Sequence, residues 1–243
     1  IEHASDKEDA LRLIQEADRA IGFDLEQPTL LRLHIIRQDA GHYTVLQMAH
    51  HSISDGWSGP VLFDCVHRYY EQLRSGGAVV VDEDTAYIRA QAYIAKTKDS
   101  VNAYWSEVVS QIEQVNDVNA LLSKPANLDT LQVLANPKRQ VVEISGVGYQ
   151  ALKRLAQEAS ITMPVILQFA WHKLLQVYTR DMQTIVGTTV SGRALPVAGI
   201  ESSVGLYINT LPLVVDWSTP CSVREQLQSI QQRLVALNHH SAV

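Results

Sequence analysis

His50-His51-Ser52-Ile53-Ser54-Asp55-Gly56-Trp57-Ser58 is the stretch on which the reading of this chain turns. It closes an apolar segment, residues 42–51, whose pattern predicts a strand, and it precedes residues whose pattern predicts a helix. Two adjacent imidazoles thus stand at a strand end. A carboxylate and a glycine follow where the helix is expected to begin. One short turn therefore holds a proton acceptor, a charged anchor and free backbone N–H groups. Acyl transfer to an amine or alcohol needs these parts.

Strand alternation separates the two histidines. Leu46, Met48 and His50 share one face, and Val45, Gln47, Ala49 and His51 the other. Leu46 and Met48 read as core, so His50 points into packing and His51 towards the more polar side. His51 is therefore the catalytic candidate. A lone strand histidine is more often a buried hydrogen-bonding residue, and Asp55 reads equally well as the cap of the next helix. The combination of His51, Asp55 and Gly56 favours chemistry. A helix start offers unpaired N–H groups of positive character, and glycine admits a substrate close to the backbone. Histidines on opposite faces do not chelate one ion, so no metal is expected.

Working outward, Ser5 and Glu8 read as a capping box ahead of a helix with Ala10, Ile14, Ala17 and Ile21 on one side. Residues 30–37 and 42–51 predict a hairpin about Asp39-Ala40-Gly41. After Asp55 a helix is expected with Leu62, Val66, Tyr69 and Leu73 as its apolar stripe, stopped at Gly76-Gly77. A second amphipathic helix holds Val101, Tyr104, Trp105, Val108 and Ile112. Residues 116–138 are weakly periodic and read as a lobe boundary. Beyond it come a strand at 138–145 and a helix with Leu152, Leu155 and Ala159. The next helix starts near Thr162, with Pro164 in its first turn, and is so apolar all round that an interior place is expected. Residues 184–191 and 204–215 read as buried strands, and Ser222 and Glu225 cap a last helix. The expected fold class is α/β, with helices and sheets in layers.

Bulk properties narrow the function. The chain has 243 residues, 46% hydrophobic and 19% charged, with net charge −6. That is long enough for a sizeable core and argues against a nucleic acid or an anionic membrane as partner. Two well-separated cysteines, Cys65 and Cys221, and no bilayer-length apolar run fit a reduced, cytoplasmic setting. The first residue is Ile1, which suggests a piece of something longer.

At the histidine motif the chain resembles the condensation domains of nonribosomal peptide synthetases. Residues 48–58 are similar to that family's H-H-x-x-x-D-G core. Asp84-Thr85-Ala86-Tyr87, Gly187-Thr188-Thr189-Val190-Ser191-Gly192-Arg193 and Val204-Gly205-Leu206-Tyr207-Ile208-Asn209-Thr210 resemble three later motifs, in order. The shorter H-x-x-x-D-G core is shared with chloramphenicol acetyltransferase and dihydrolipoyl acyltransferases, so the later motifs carry the distinction. The resemblance implies a two-lobed, chloramphenicol acetyltransferase-like fold. Residues 1–120 would be the latter part of the first lobe. Residues 121–243 would be the second, with a crossover at 204–210 and its end truncated. The family's two earliest motifs are absent, so the first lobe is expected to be incomplete.

The implied reaction is amide formation between two acyl groups carried as thioesters on the phosphopantetheine arms of upstream and downstream peptidyl carrier domains, beside an adenylation domain. No cofactor is bound directly. A free α-amine has a pKa of about 8, so a neutral imidazole can relieve it of a proton. By this reading His51 acts as base or positioner, and Gly56 N–H stabilises the oxyanion. His50, Asp55 and Arg193 are structural, Asp55 and Arg193 as an ion pair in the family's manner. Trp57, Ser58, Tyr207 and Asn209 line the substrate tunnel. Competing readings are a stand-alone acyltransferase using coenzyme A, a non-catalytic relative that recruits carrier domains, and an epimerising relative.

Overall fold

The computed structural model describes residues 4–130 and 138–242, and the side chains of 7–130 and 138–242. The side chain of Ser5, read as half of a capping box with Glu8, lies outside those described, and the first helix, Ala4–Ile21, already includes Ser5. Two compact units emerge: Ile1–Ala90 with Val197–Tyr207, and Gln91–Pro196 with Ile208–Val243.

In the first unit α1 (Ala4–Ile21) is followed by an antiparallel hairpin, β1 (Leu31–Arg37) and β2 (Tyr43–Ala49), then by α2 (Ser58–Arg74). The hairpin pairs Leu31 with Ala49 and Arg37 with Tyr43, and His50 N–H adds one more rung to Leu30 O. Alternation is clean. Leu46, Met48 and His50 are half-buried, while Val45, Gln47, Ala49 and His51 are exposed. Asp18 ties α1 to the inner face: its carboxylate accepts both Nε (2.7 Å) and Nη2 (2.8 Å) of Arg32 and lies 3.0 Å from His34 Nε2. These partners, Arg32 before His34, outweigh burial and hold the Asp18 carboxyl at a pKa of about 2.

Helix α2 departs from the expected stripe. Leu62 and Tyr69 are half-buried, but Val66 and Leu73 are exposed with Phe63 and Tyr70. The helix thus carries two apolar rows, and packing selects the one that also holds Val61 and Cys65. The chain leaves α2 through Ser75 and Gly76, whose φ of 78° suits glycine.

The second unit takes most of α3 (Ala86–Ser110), α4 (Gly146–Glu158), α5 (Met163–Thr179), β3 (Gln183–Val190), β4 (Asn209–Asp216) and α6 (Val223–His239). Strands β3 and β4 pair antiparallel, Val186 opposite Leu213. Their inner face, with Val190, Leu211, Leu213 and Val215, packs on Val165 and Ile166 of α5 and on Leu227, Ile230 and Leu237 of α6. The helix-over-sheet layering follows from these three apolar faces. The capping box at Ser222 and Glu225 is present with both bonds, and Pro164 sits in the first turn of α5.

Three sequence expectations give way here. Residues 138–145 form no strand: they are irregular, exposed and outside either ladder. The strand expected at 204–215 begins only at Asn209, because 204–207 hydrogen-bond elsewhere. Helix α5 is not enclosed. Val165, Ile166 and His172 are buried, while Leu167, Trp171, Leu174 and Tyr178 stand open. Both cysteines are free thiols, and no helix among the described residues is long and apolar enough to cross a membrane.

Candidate active site at the His51 turn

The β1–β2 ladder ends at His50, and the chain turns at once, with Ile53 N–H donating to His50 O at 3.3 Å. His51 is the first residue of that turn and is exposed. His50 faces inward. Ser52 N–H donates to its Nδ1 (3.2 Å), so Nδ1 is the acceptor and the neutral ring carries its proton on Nε2. The Ser52 hydroxyl lies 2.8 Å from the same nitrogen. Phe23 meets the His50 ring edge-on at 6.1 Å, and the Arg32 guanidinium lies 3.9 Å over Phe23. A continuous stack, Asp18–Arg32–Phe23–His50, therefore backs the turn from behind. The two histidines divide the work as strand geometry requires: one braces and the other projects.

The far end of the turn is locked. Asp55 is buried, and α2 starts at Ser58, two residues later than glycine-start reasoning places it. Asp55 still serves the helix, from three residues ahead: its Oδ1 accepts Ser58 N–H at 2.9 Å and lies 2.8 Å from Ser58 Oγ. Its Oδ2 accepts Tyr207 N–H at 3.1 Å, and its own N–H donates to Gly205 O at 3.2 Å. Ser58 is 1% exposed. Its hydroxyl accepts Gly205 N–H at 3.0 Å and lies 2.9 Å from Gly205 O. Ser58 is thus enclosed in the framework, and the expectation that it lines a substrate passage gives way to that role. Gly56 and Trp57 form the surface of the turn. Gly56 N–H has no acceptor among the described residues, and a Cβ built on Gly56 meets nothing within 4 Å. Trp57 is half exposed, its Nε1–H donating to Glu201 O at 2.8 Å.

Sequence reasoning placed a second carboxylate, Asp84, in a motif but gave it no role. Asp84 Oδ1 accepts Ala86 N–H, the first of α3, at 3.0 Å. Its Oδ2 accepts the Ser203 hydroxyl at 2.6 Å and Val204 N–H at 3.1 Å. Tyr207 hydroxyl donates to Ser203 Oγ at 2.7 Å. Burial raises the Asp84 carboxyl, but Ser203 and the two amides outweigh it and leave it below the usual carboxylate range. The available signal was an aspartate two residues before a helix start. Residues 203–207 are therefore gripped on two sides, by Asp55 with Ser58 and by Asp84.

The other site candidates lie in the second unit. Arg193 follows β3 and is buried, its N–H donating to Ser191 Oγ at 3.3 Å. Asn209 opens β4 opposite Val190, and its Oδ1 accepts Thr210 N–H at 2.8 Å. Among the described residues no group of three or more His, Cys, Asp or Glu is placed to hold a metal ion.

Known proteins share the sequence pattern and the fold of this chain. The family profile described as Condensation domain matches residues 1–243. N-(5-amino-5-carboxypentanoyl)-L-cysteinyl-D-valine synthase of Amycolatopsis lactamdurans is 36% identical over 245 residues, covering 98% of this chain and 7% of that protein. Bacitracin synthase 3 of Bacillus licheniformis is 27% identical over 233 residues, covering 95% of this chain and 4% of its own length. The chain thus spans only a small part of the relatives it matches. Among solved structures, the first condensation domain of the calcium-dependent antibiotic synthetase, in complex with a substrate analogue, superposes with a TM-score of 0.66 at 22% identity. That match covers 99% of this chain and 53% of the other. The fold is the chloramphenicol acetyltransferase-like fold of condensation domains, and the chain belongs to the condensation-domain family.

Proposed function

We propose that this chain forms peptide bonds in nonribosomal peptide synthesis. The donor is an acyl or peptidyl thioester and the acceptor an aminoacyl thioester, each delivered on the phosphopantetheine arm of a carrier domain, with an adenylation domain in the same cytoplasmic assembly. The observation that carries this reading is an exposed His51 imidazole at the end of a hydrogen-bonded ladder, on a turn whose other end is fixed by Asp55 and Ser58.

The acceptor amine attacks the donor carbonyl. The new C–N bond forms and the oxygen takes up negative charge, which the unsatisfied Gly56 N–H can receive. His51 takes the proton from the attacking nitrogen. Collapse of the intermediate breaks the C–S bond, and the thiolate leaves with that proton. Thioesters are already activated, so holding the two ends together supplies much of the acceleration. His50, Asp55 and Arg193 are assigned to the framework, and Trp57 and Asn209 to the substrate passage; Tyr207, expected there too, is buried against Tyr87 with its hydroxyl on Ser203 and belongs to the framework. We assign residues 1–120 to the first acyltransferase-like lobe and 121–243 to the second, which includes a crossover at 204–210.

The test is condensation by the full-length protein with both carriers loaded. His51→Ala is expected to lower the rate by roughly 10²- to 10⁴-fold, the usual share of a proton-transferring side chain. His50→Ala is expected to lower the melting temperature, because it removes the brace against Phe23 and Ser52. Equal rates for His51→Ala and the parent overturn the assignment.

A further inference from the structure

Asp55 and Asp84 make the same two-handed contact. Each uses one carboxylate oxygen to accept the first N–H of a helix, Ser58 of α2 and Ala86 of α3. Each uses the other oxygen to accept an N–H of the segment 203–207, that of Tyr207 and that of Val204. Ser203, wholly buried, links the Tyr207 hydroxyl to Asp84. Between these grips, Gly205 has Tyr87 packed so close that a Cβ would lie 2.4 Å from the ring, and Tyr87 meets Tyr207 edge-on at 5.2 Å. The segment is thus clipped at both ends and pressed from one side.

We propose that Asp84, acting through Ser203 and the 203–207 segment, is a positioning residue for His51. The path is short and wholly hydrogen-bonded: Asp84 holds Val204, Gly205 holds Asp55 N–H and lies against Ser58, and Asp55 ends the turn that begins with His51. Releasing Asp84 frees the segment on which Asp55 leans, and the His51 turn loses its fixed end. A carboxylate suits this post. Three donors converge on it, and an acceptor serving several N–H and O–H groups holds them more tightly when charged. Asn at this position retains one acceptor oxygen and turns a donor towards donors.

This proposal rests on the condensation reading for its activity arm only. The experiment uses the full-length protein and two variants, Asp84→Asn and Ser203→Ala. Ser203→Ala keeps the Asp84 charge and the Ala86 contact, so it serves where Asp84→Asn folds poorly. Amide hydrogen exchange is read at Val204 and Asp55, with β1 and β2 as internal reference. Both variants are expected to speed exchange at Val204 and Asp55 by about tenfold or more while the hairpin stays protected. With loaded carriers, kcat is expected to fall between about 10- and 100-fold with KM little changed, as for a displaced catalytic group. Unchanged exchange at Asp55 in both variants overturns the proposal, as does a loss confined to KM or one matched by equal loosening of the hairpin. A parent that forms no peptide bond sinks the condensation reading instead, and the exchange arm still decides whether Asp84 governs the turn.

Discussion

Gly205 has no side chain because Tyr87 occupies the space where one would go. The Cβ position lies 2.4 Å from Tyr87 Cδ2 and 3.0 Å from two further ring atoms. The requirement is for room. Gly205→Ala is expected to cost about 1–3 kcal/mol, as overpacking does, and denaturant unfolding measures it. Replacing Tyr87 by Ala in the same chain is expected to recover part of the loss; simple addition of the two costs would contradict the contact. A second residue sets a pH dependence. His172 is fully buried, with Nδ1 2.8 Å from Thr184 Oγ1, and that oxygen also accepts Trp217 Nε1–H at 2.9 Å. Burial lowers the His172 pKa to about 4, partly opposed by Thr184. The unfolded chain then takes up the proton first as pH falls. Stability from this group is full above the ordinary value of 6.5 and falls between 6.5 and about 4, by about 3 kcal/mol in all, levelling below that. Melts across this range are expected to show the slope, and His172→Gln to flatten it. Asp18 adds an acid loss of its own only below its ordinary 3.8. At this scale the sequence was legible where partners are close in the chain. His51, Asp55 and Gly56 announce themselves within six residues of one another. The contact between Asp84 and Ser203 does not, because 119 positions separate them and no local pattern links a helix-start aspartate to a distant serine.

Elements were legible where their end signals are local. Ser222 and Glu225 mark the start of α6, Pro164 that of α5 and Gly76 the end of α2. Ser222→Ala is expected to cost about 1 kcal/mol, since it strips α6 of a reciprocal cap, and thermal melting checks it. Ser222→Asp is expected to keep most of the stability. Periodicity failed where two apolar rows compete or where the partner is not a strand. On α2 the row Phe63, Val66, Tyr70 and Leu73 is as apolar as the one that is half-buried, and the sequence of the helix alone offers no reason to choose. Residues 204–207 are as β-prone as 209–215, but two aspartates take the N–H groups of Val204 and Tyr207 that a ladder would otherwise bind. Residues 138–145 have strand composition yet lie outside either ladder, so propensity without pairing leaves no strand.

At the scale of the molecule, large apolar surfaces stand open. The outer face of the hairpin shows Leu33, Ile35, Tyr43 and Val45, with Ile35 70% exposed, and Val142 near α4 is 87% exposed. Patches of this kind on soluble chains drive association. The 243-residue chain on its own is expected to self-associate in light scattering, and Ile35→Lys with Val45→Lys to reduce it. A monodisperse parent at high concentration would show that these faces are not sticky. One feature of the topology reaches further. Residues 197–207 lie in sequence between two parts of the second unit, yet their contacts place them with the first. Neither unit is therefore a continuous stretch of gene. A chimera that exchanges the histidine-bearing unit between relatives by a single splice leaves Asp55 and Asp84 facing a foreign ribbon; a working hybrid needs a second, short graft at 197–207, inherited with the first.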